Sequence, residues 1–272
     1  MSEKSAAFIL GPHRSGTSCL AGALKAMGVY LGPDHSLGDP QPDNPKGFFE
    51  FLPMVSINDE ILQRLGGSWC DLPYFPPGWQ FSHTFSDIRS KASNIVTDNF
   101  GSQRIWGFKD PRSCLTIIFW RTIVAHPIRS IVVIRNPLEV AHSLLKRNCM
   151  PIDKGAQLWL DHVYSAMAGS RGAPRKMVFF DRLIQDPKGQ LAELAEFLEL
   201  PGGQPMLDRG IAMVERELKH NNSTWHDTRD SMAVPEKVKK AWSAMRLFSH
   251  MDRQQTAERL DEDALLAVLA GS

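Results

Sequence analysis

The hydrophobic positions of this chain fall into two patterns. Short unbroken apolar runs alternate with longer stretches in which apolar residues recur every third or fourth position. Four runs have strand length: Ala6–Leu10, Ile105–Phe108, Ser130–Ile134 and Lys176–Phe180. Unbroken rather than alternating hydrophobicity marks strands buried on both faces, as in a parallel sheet covered by helices. Helical periodicity runs through Thr17–Met27, Met54–Leu65, Pro137–Arg147, Ala156–Ala168, Gly189–Leu198, Glu236–Leu247 and Ala257–Leu269. In the third of these it turns Val140, Leu144 and Leu145 to the core. Strands alternating with helices predict an α/β fold in three layers, a central parallel sheet flanked by helices. Leu31–Lys46 and the stretch Trp69–Trp79, with its three prolines, read as long loops. Loops of that length over one sheet edge are candidate substrate lids, with plain surface connections as the alternative.

Composition narrows the function classes. The 272 residues suit one domain spanning 1–272, with 43% hydrophobic and 22% charged residues providing an ordinary core and surface. A net charge of +1 gives no global field towards nucleic acid or an anionic membrane, so any anion site must be built locally. Cys19, Cys70, Cys114 and Cys149 are far apart and form no C-x-x-C. This points to reduced thiols in a cytoplasmic protein, with no zinc site expected. No apolar run approaches the length needed to span a bilayer.

The first candidate site follows the first strand. Gly11-Pro12-His13-Arg14-Ser15-Gly16-Thr17-Ser18 links strand to helix. Glycines permit a tight turn, inward N–H groups gather, and the helix start adds partial positive charge, which together cradle an anion. The Gly11-x4-Gly16 spacing matches a nucleotide phosphate loop. Thr17, however, stands where triphosphate-binding loops carry lysine, and a cation, Arg14, sits inside the loop. Such a loop suits one phosphate joined to a sulfate, with Arg14 forking onto an oxygen. A plain strand–helix turn is the alternative.

The second candidate follows the third strand: Arg135-Asn136-Pro137-Leu138-Glu139-Val140-Ala141-His142-Ser143. Asn136 is a good N-cap, Pro137 occupies the favoured first helical position, and Glu139 completes a near capping box. Arg135 then lies at the carboxyl end of a strand, where open α/β sheets bind ligands. Ser143 shares a helix face with Glu139 and Arg147. A capped strand–helix unit with a surface serine is the alternative, but two anion sites on one sheet edge suit a nucleotide with two separate phosphate ends.

With these residues in place, the sequence resembles the P-loop-fold sulfotransferases that use 3′-phosphoadenosine 5′-phosphosulfate (PAPS). GPHRSGTS resembles their 5′-phosphosulfate loop and IVVIRNPLEVAHSLLKR their 3′-phosphate motif. VFFDRLIQDP resembles a further segment of the family, with Phe180-Asp181-Arg182-Leu183 altered from the usual Tyr-Glu-Asp-Leu. NPKGFFEF and GFKDPR resemble segments of bacterial and carbohydrate-directed members. The resemblance implies a P-loop-like fold, with PAPS as sulfuryl donor and PAP as product. It places Pro12, His13, Arg14, Ser15, Gly16, Thr17 and Ser18 on the 5′-phosphate and sulfate, and Arg135 and Ser143 on the 3′-phosphate. The acceptor it suggests is a carbohydrate, glycolipid or peptide hydroxyl. The Lys-x-His histidine of the small-molecule enzymes is replaced by Lys109-Asp110-Pro111, which turns the expectation away from phenols and steroids.

Sulfuryl transfer by in-line displacement needs charge on the sulfate and a base on the acceptor hydroxyl. Arg14, the loop amides and Lys109 are candidates for the first. Glu50, among aromatic residues, is the first candidate base, with a surface glutamate capping the helix Met54–Leu65 as the alternative, followed by Asp110 and then His13. Asp110 has the alternative of holding Lys109 or Arg112. Trp69 reads as an apolar anchor, with adenine stacking as the alternative. Lys219, His220 and Asn221 read as a solvated helix end, alternatively closing over the site, and His126 and His162 read as structural or exposed. Two rival functions remain: a P-loop small-molecule kinase with Asp181 as nearest magnesium ligand, and a non-catalytic nucleotide-binding module.

Overall fold

The computed structural model describes residues 4–41, 44, 47–214, 223–251 and 262–270. All four expected strands form: β1 (Ser5–Leu10), β2 (Ile105–Lys109), β3 (Ile128–Ile134) and β4 (Arg175–Phe179). They make one parallel sheet in the order β2-β1-β3-β4. Both sheet faces are apolar, which explains the unbroken runs. Along β1, Ala6, Phe8 and Leu10 join one core while Ala7 and Ile9 join the other. β3 divides likewise, with Val132 and Ile134 on the first side and Ile131 and Val133 on the second.

Helices cover both faces, giving three layers. The first face carries α2 (Leu52–Arg64), α3 (Ser86–Phe100), α4 (Ser113–Ile123), α5 (Pro137–Asn148) and α6 (Ile152–Gly169). α1 (Thr17–Ala26), α7 (Phe180–Gln185), α8 (Pro187–Phe197) and α9 (Gly203–Met213) contribute to the second. Then follow α10 (Trp225–Asp230), α11 (Glu236–Met251) and α12 (Glu262–Ala270). Among the described residues, no helix is long and apolar enough to cross a membrane.

Strand order fixes where a ligand can enter. From β1 the chain proceeds to β2 on one side, and from β3 to β4 on the other. β1 and β3 are therefore the neighbours at which the sheet changes winding direction, and a crevice opens beyond their carboxyl ends. Leu10 pairs with Val132, so Gly11–Ser18 and Arg135 leave the sheet side by side.

Several sequence expectations need correction. Phe180 leaves the sheet and opens α7 instead of ending β4. α6 starts four residues before the expected Ala156 and α8 two before Gly189, where Asp186 caps by accepting from the Gly189 N–H. Leu145 is 43% exposed rather than facing the core, whereas Val140 and Leu144 are buried. Glu139 does not close a capping box. Asn136 accepts from the N–H groups of Leu138 and Glu139, while the Glu139 carboxylate turns to Arg135 and to the Ser223 N–H. α4, for which the pattern gives no element, is apolar on nearly every side and buried from Ser113 to Ile117 and again at Phe119 and Trp120. Part of the expected 257–269 helix and of the 31–46 loop lies outside the described residues, as do Lys219, His220 and Asn221.

Candidate active site

The loop after β1 is shaped by close approach. A Cβ on Gly11 would stand 2.7 Å from the Val133 carbonyl oxygen, and one on Gly16 would stand 2.2 Å from the Phe180 ring. Gly16 has φ 92° and Arg14 has φ 68°, so the chain passes twice through the left-handed region within three residues. The Ser15 N–H and hydroxyl both donate to the Pro12 carbonyl, at 3.2 and 2.7 Å. The Gly11 N–H donates to Cys114 Sγ at 3.0 Å. Burial pushes that thiol up to about 12, so it stays a neutral acceptor. Pro12 and Ser15 build the loop and are not among the residues that line the cavity beside it. His13, Arg14, Gly16, Thr17 and Ser18 do line it.

The two anion motifs meet. Arg14 Nε donates to Ser143 Oγ at 2.8 Å, and Arg135 donates to the Arg14 carbonyl at 3.1 Å. Arg135 is oriented from behind by the fully buried Glu139, at 2.8 Å, and its guanidinium sits over the Phe180 ring. Gly16, Phe180, Arg135 and Glu139 therefore form one stack from the loop into α5. Ser143 and Arg135 both border a cavity of about 390 Å³ at the carboxyl edge of β1, β2 and β3.

The opposite wall comes from β2 and the segment before α2. Lys109, the last residue of β2, is 2% exposed. Its ammonium pairs with Glu50 Oε1 at 2.5 Å and donates to Ser18 Oγ at 3.1 Å. The neighbouring strand thus brings a lysine to a loop whose own lysine position is Thr17. Glu50 is held by its flanks: Phe49, at φ 55°, packs against Gly22, Phe51 is buried against Gly32, and Phe48 faces Lys109 and Arg147 from the cavity wall.

Asp110 is fully buried and does not line the cavity. It accepts from Asn58 at 2.7 Å and from Arg112 at 3.0 Å, within a network that includes Ser113, Thr116 and Trp120. The contact with Arg112 matches its second sequence reading, in which it holds Lys109 or Arg112 in place. Burial works against the Arg112 cation, but Asp110 and Asp59 outweigh it and raise its pKa. Sequence reasoning gave Arg112 no separate role, although it lines the cavity, as do Arg147, Phe48 and Asn44.

His13 packs against Trp69 with ring centres 4.2 Å apart and the rings tilted by 45°, and His162 stands 6.1 Å away. Burial, then the charges of His162, Arg112, Lys109 and Arg147, hold His13 well below its ordinary pKa and keep it neutral. Its Nε2 is shielded and has no hydrogen-bond partner among the described residues. His162 Nδ1 bonds the Leu158 carbonyl, and burial lowers its pKa to about 4, a structural role as expected. Trp69 anchors to His13 and also lines the cavity, while His126 and Asp181 do not line it.

The lining residues include five cationic side chains (Arg14, Lys109, Arg112, Arg135 and Arg147) and one carboxylate, Glu50. With the first amides of α1, which have no acceptor within their own helix, this arrangement can hold a multiply charged anion and take a proton beside it.

No protein-family model matches the chain, and no curated protein matches it either. Among solved structures, it is similar to the sulfotransferase domain of the olefin synthase from Synechococcus PCC 7002. The TM-score there is 0.48 at 16% identity, over 99% of this chain and 95% of that one. The sulfotransferase domain of the curacin biosynthetic pathway gives 0.48 at 16%, over 99% of both chains. A sulfotransferase from Mycobacterium tuberculosis H37Rv gives 0.48 at 12% identity, over 78% of this chain and 71% of that one.

Proposed function

We propose that the protein is a PAPS-dependent sulfotransferase acting on a carbohydrate, glycolipid or peptide hydroxyl. One observation carries this reading: two sequence-distant anion motifs converge on one cavity, through the Arg14–Ser143 and Arg135–Arg14 contacts. The cavity's chemistry fits the donor. Five cations and a helix start suit a nucleotide with a phosphate at each end.

In this reading Arg135 and Ser143 hold the 3′-phosphate. Arg14, Lys109 and the first amides of α1 hold the 5′-phosphate and sulfate oxygens. When bound, the donor supplies an activated sulfuryl group. Glu50 accepts the proton of the acceptor hydroxyl as the new S–O bond forms. The old S–O bond breaks with its electron pair on the 5′-phosphate oxygen, and Lys109 and Arg14 offset the charge that gathers there.

Two measurements test this. Calorimetry with PAP and with ATP–Mg²⁺ compares the nucleotides, and transfer of ³⁵S from labelled PAPS to a panel of hydroxyl compounds reads the reaction. Tight PAP binding with transfer that Glu50→Gln largely abolishes is the expected result. Tight ATP–Mg²⁺ binding without response to PAP overturns the reading in favour of a kinase. PAP binding with no transfer to any acceptor marks a non-catalytic nucleotide-binding module.

A further inference from the structure

Three cations that border the cavity, Arg135, Arg112 and Lys109, are paired with carboxylates, and they differ in where the carboxylate stands. Arg135 is paired with Glu139 and Arg112 with Asp110, two fully buried carboxylates that lie behind the wall, and Arg112 also pairs at 2.6 Å with Asp59, which does not line the cavity. In the third pair, Lys109 with Glu50, both partners line the cavity. A bound molecule meets the first two pairs from their cationic side only. It can contact both members of the third.

The third pair also spans the two halves of the site. The Lys109 ammonium has three hydrogens. One engages Glu50 Oε1 at 2.5 Å, and another engages Ser18 Oγ in the first turn of α1, at 3.1 Å. The Oε1 atom of Glu50 is thereby occupied by the Lys109 ammonium in a charge-assisted hydrogen bond. An anion arriving at the first turn of α1 competes with Glu50 for the same ammonium. Because coupling between binding events is reciprocal, whatever loosens Lys109 from Glu50 must also strengthen the anion's hold. Lysine suits this exchange: its ammonium pivots between partners on a flexible stem, unlike the rigid guanidinium forks of Arg112 and Arg135.

We propose that the Lys109–Glu50 ion pair is a donor-sensitive gate. Without donor, Lys109 occupies Glu50 and no base is presented to a hydroxyl or to water. The sulfate end of the donor draws Lys109 towards Ser18 and releases Glu50 to the acceptor. The site therefore takes donor before acceptor. This rests on the donor reading above, and Lys109 acts on the base as a positioning residue.

The test is a double-mutant cycle on donor affinity. It uses equilibrium dialysis with ³⁵S-labelled PAPS and calorimetry with PAP, both without acceptor. Glu50→Gln frees Lys109 and tightens PAPS about tenfold, the scale of one charge-assisted hydrogen bond. PAP, which lacks the sulfate, gains much less. In a Lys109→Met background the gain disappears, whereas simple removal of a repelling carboxylate would leave it in place. Glu50→Gln that binds PAPS no tighter than the native protein overturns the gate, as does a gain that persists undiminished with Lys109→Met. If Lys109→Met does not fold, the PAPS-over-PAP difference in Glu50→Gln alone decides. Native protein that binds neither nucleotide overturns the donor reading and the gate together. Native protein that binds both, with no gain in Glu50→Gln, overturns the gate alone.

Discussion

The two walls of the cavity are built by different physics. The wall beyond β1 and β3 is a matter of backbone: two glycines at close approach, a left-handed Arg14, and amides aimed by the start of α1. The wall beyond β2 is a matter of side chains. Lys109 and Glu50 face each other there, and Arg112 is fixed by Asp110 and the Asn58 network behind it. The first wall tolerates no added atom at Gly11 or Gly16. The second can rearrange wherever a carboxylate is reachable, and holds rigidly wherever the carboxylate is buried. A site that must grip one ligand and respond to another gains from having both kinds.

The contrast is sharpest in the response to substitution. Asp110→Ala should have the largest effect on stability, a loss of about 3–5 kcal/mol, because it leaves the Arg112 cation and the Asn58 network without their buried partner. Chemical denaturation would measure it, and a loss below about 1 kcal/mol would show that this side is not held electrostatically. Gly16→Ala tests the other wall. A methyl group 2.2 Å from the Phe180 ring, at φ 92°, should destabilise by roughly 2 kcal/mol or more and abolish PAP binding. Retained binding would mean that the loop is not sterically closed.

Acid probes the boundary between the walls, where His13 and His162 lie. Both are held neutral, with folded pKa values below the ordinary 6.5, that of His162 at about 4. Between these values the unfolded chain binds more protons than the folded one. Stability is therefore complete above about pH 6.5 and falls as pH drops towards 4, by on the order of 3 kcal/mol for His162. Denaturation curves at pH 7, 6 and 5 should show the decline, and His162→Gln should flatten it. A stability that does not change over this range would place both rings in a wetter setting.

The smallest expected effect is on affinity. Arg135→Ala should weaken PAP binding by at least about 1.5 kcal/mol, through loss of a charged hydrogen-bond partner. Calorimetry below the unfolding range reads it, and unchanged affinity would remove Arg135 from the site.

Much of this could be read along the chain, for reasons that differ by element. The strands were legible because a parallel sheet buries both faces and leaves an unbroken apolar run, as Ala6–Leu10 does. The loop and Arg135–Ser143 were legible because glycine, proline and N-cap chemistry is local. α4 was not, because a helix buried on most sides has no polar stripe to set its period. Phe180 was placed in a strand because an aromatic residue looks alike in the last position of β4 and the first of α7. Leu145 was set in the core by spacing, yet it falls at the margin of the apolar stripe of α5 and is open to solvent.

The sequence alone determined the strands, the phosphate-type loop, the capped start of α5 and the residue types available for anion binding. All of these depend on interactions within a few residues along the chain. Only the tertiary structure decided that Lys109 serves the loop, that Glu50 is its counter-ion, and that Asp110 is sealed behind Arg112. Those facts follow from parallel strands placing Ile9 beside Lys109, and from chain segments about 50 to 90 residues apart packing against one another. A pattern of neighbours along the chain carries no record of which distant charge will stand opposite which.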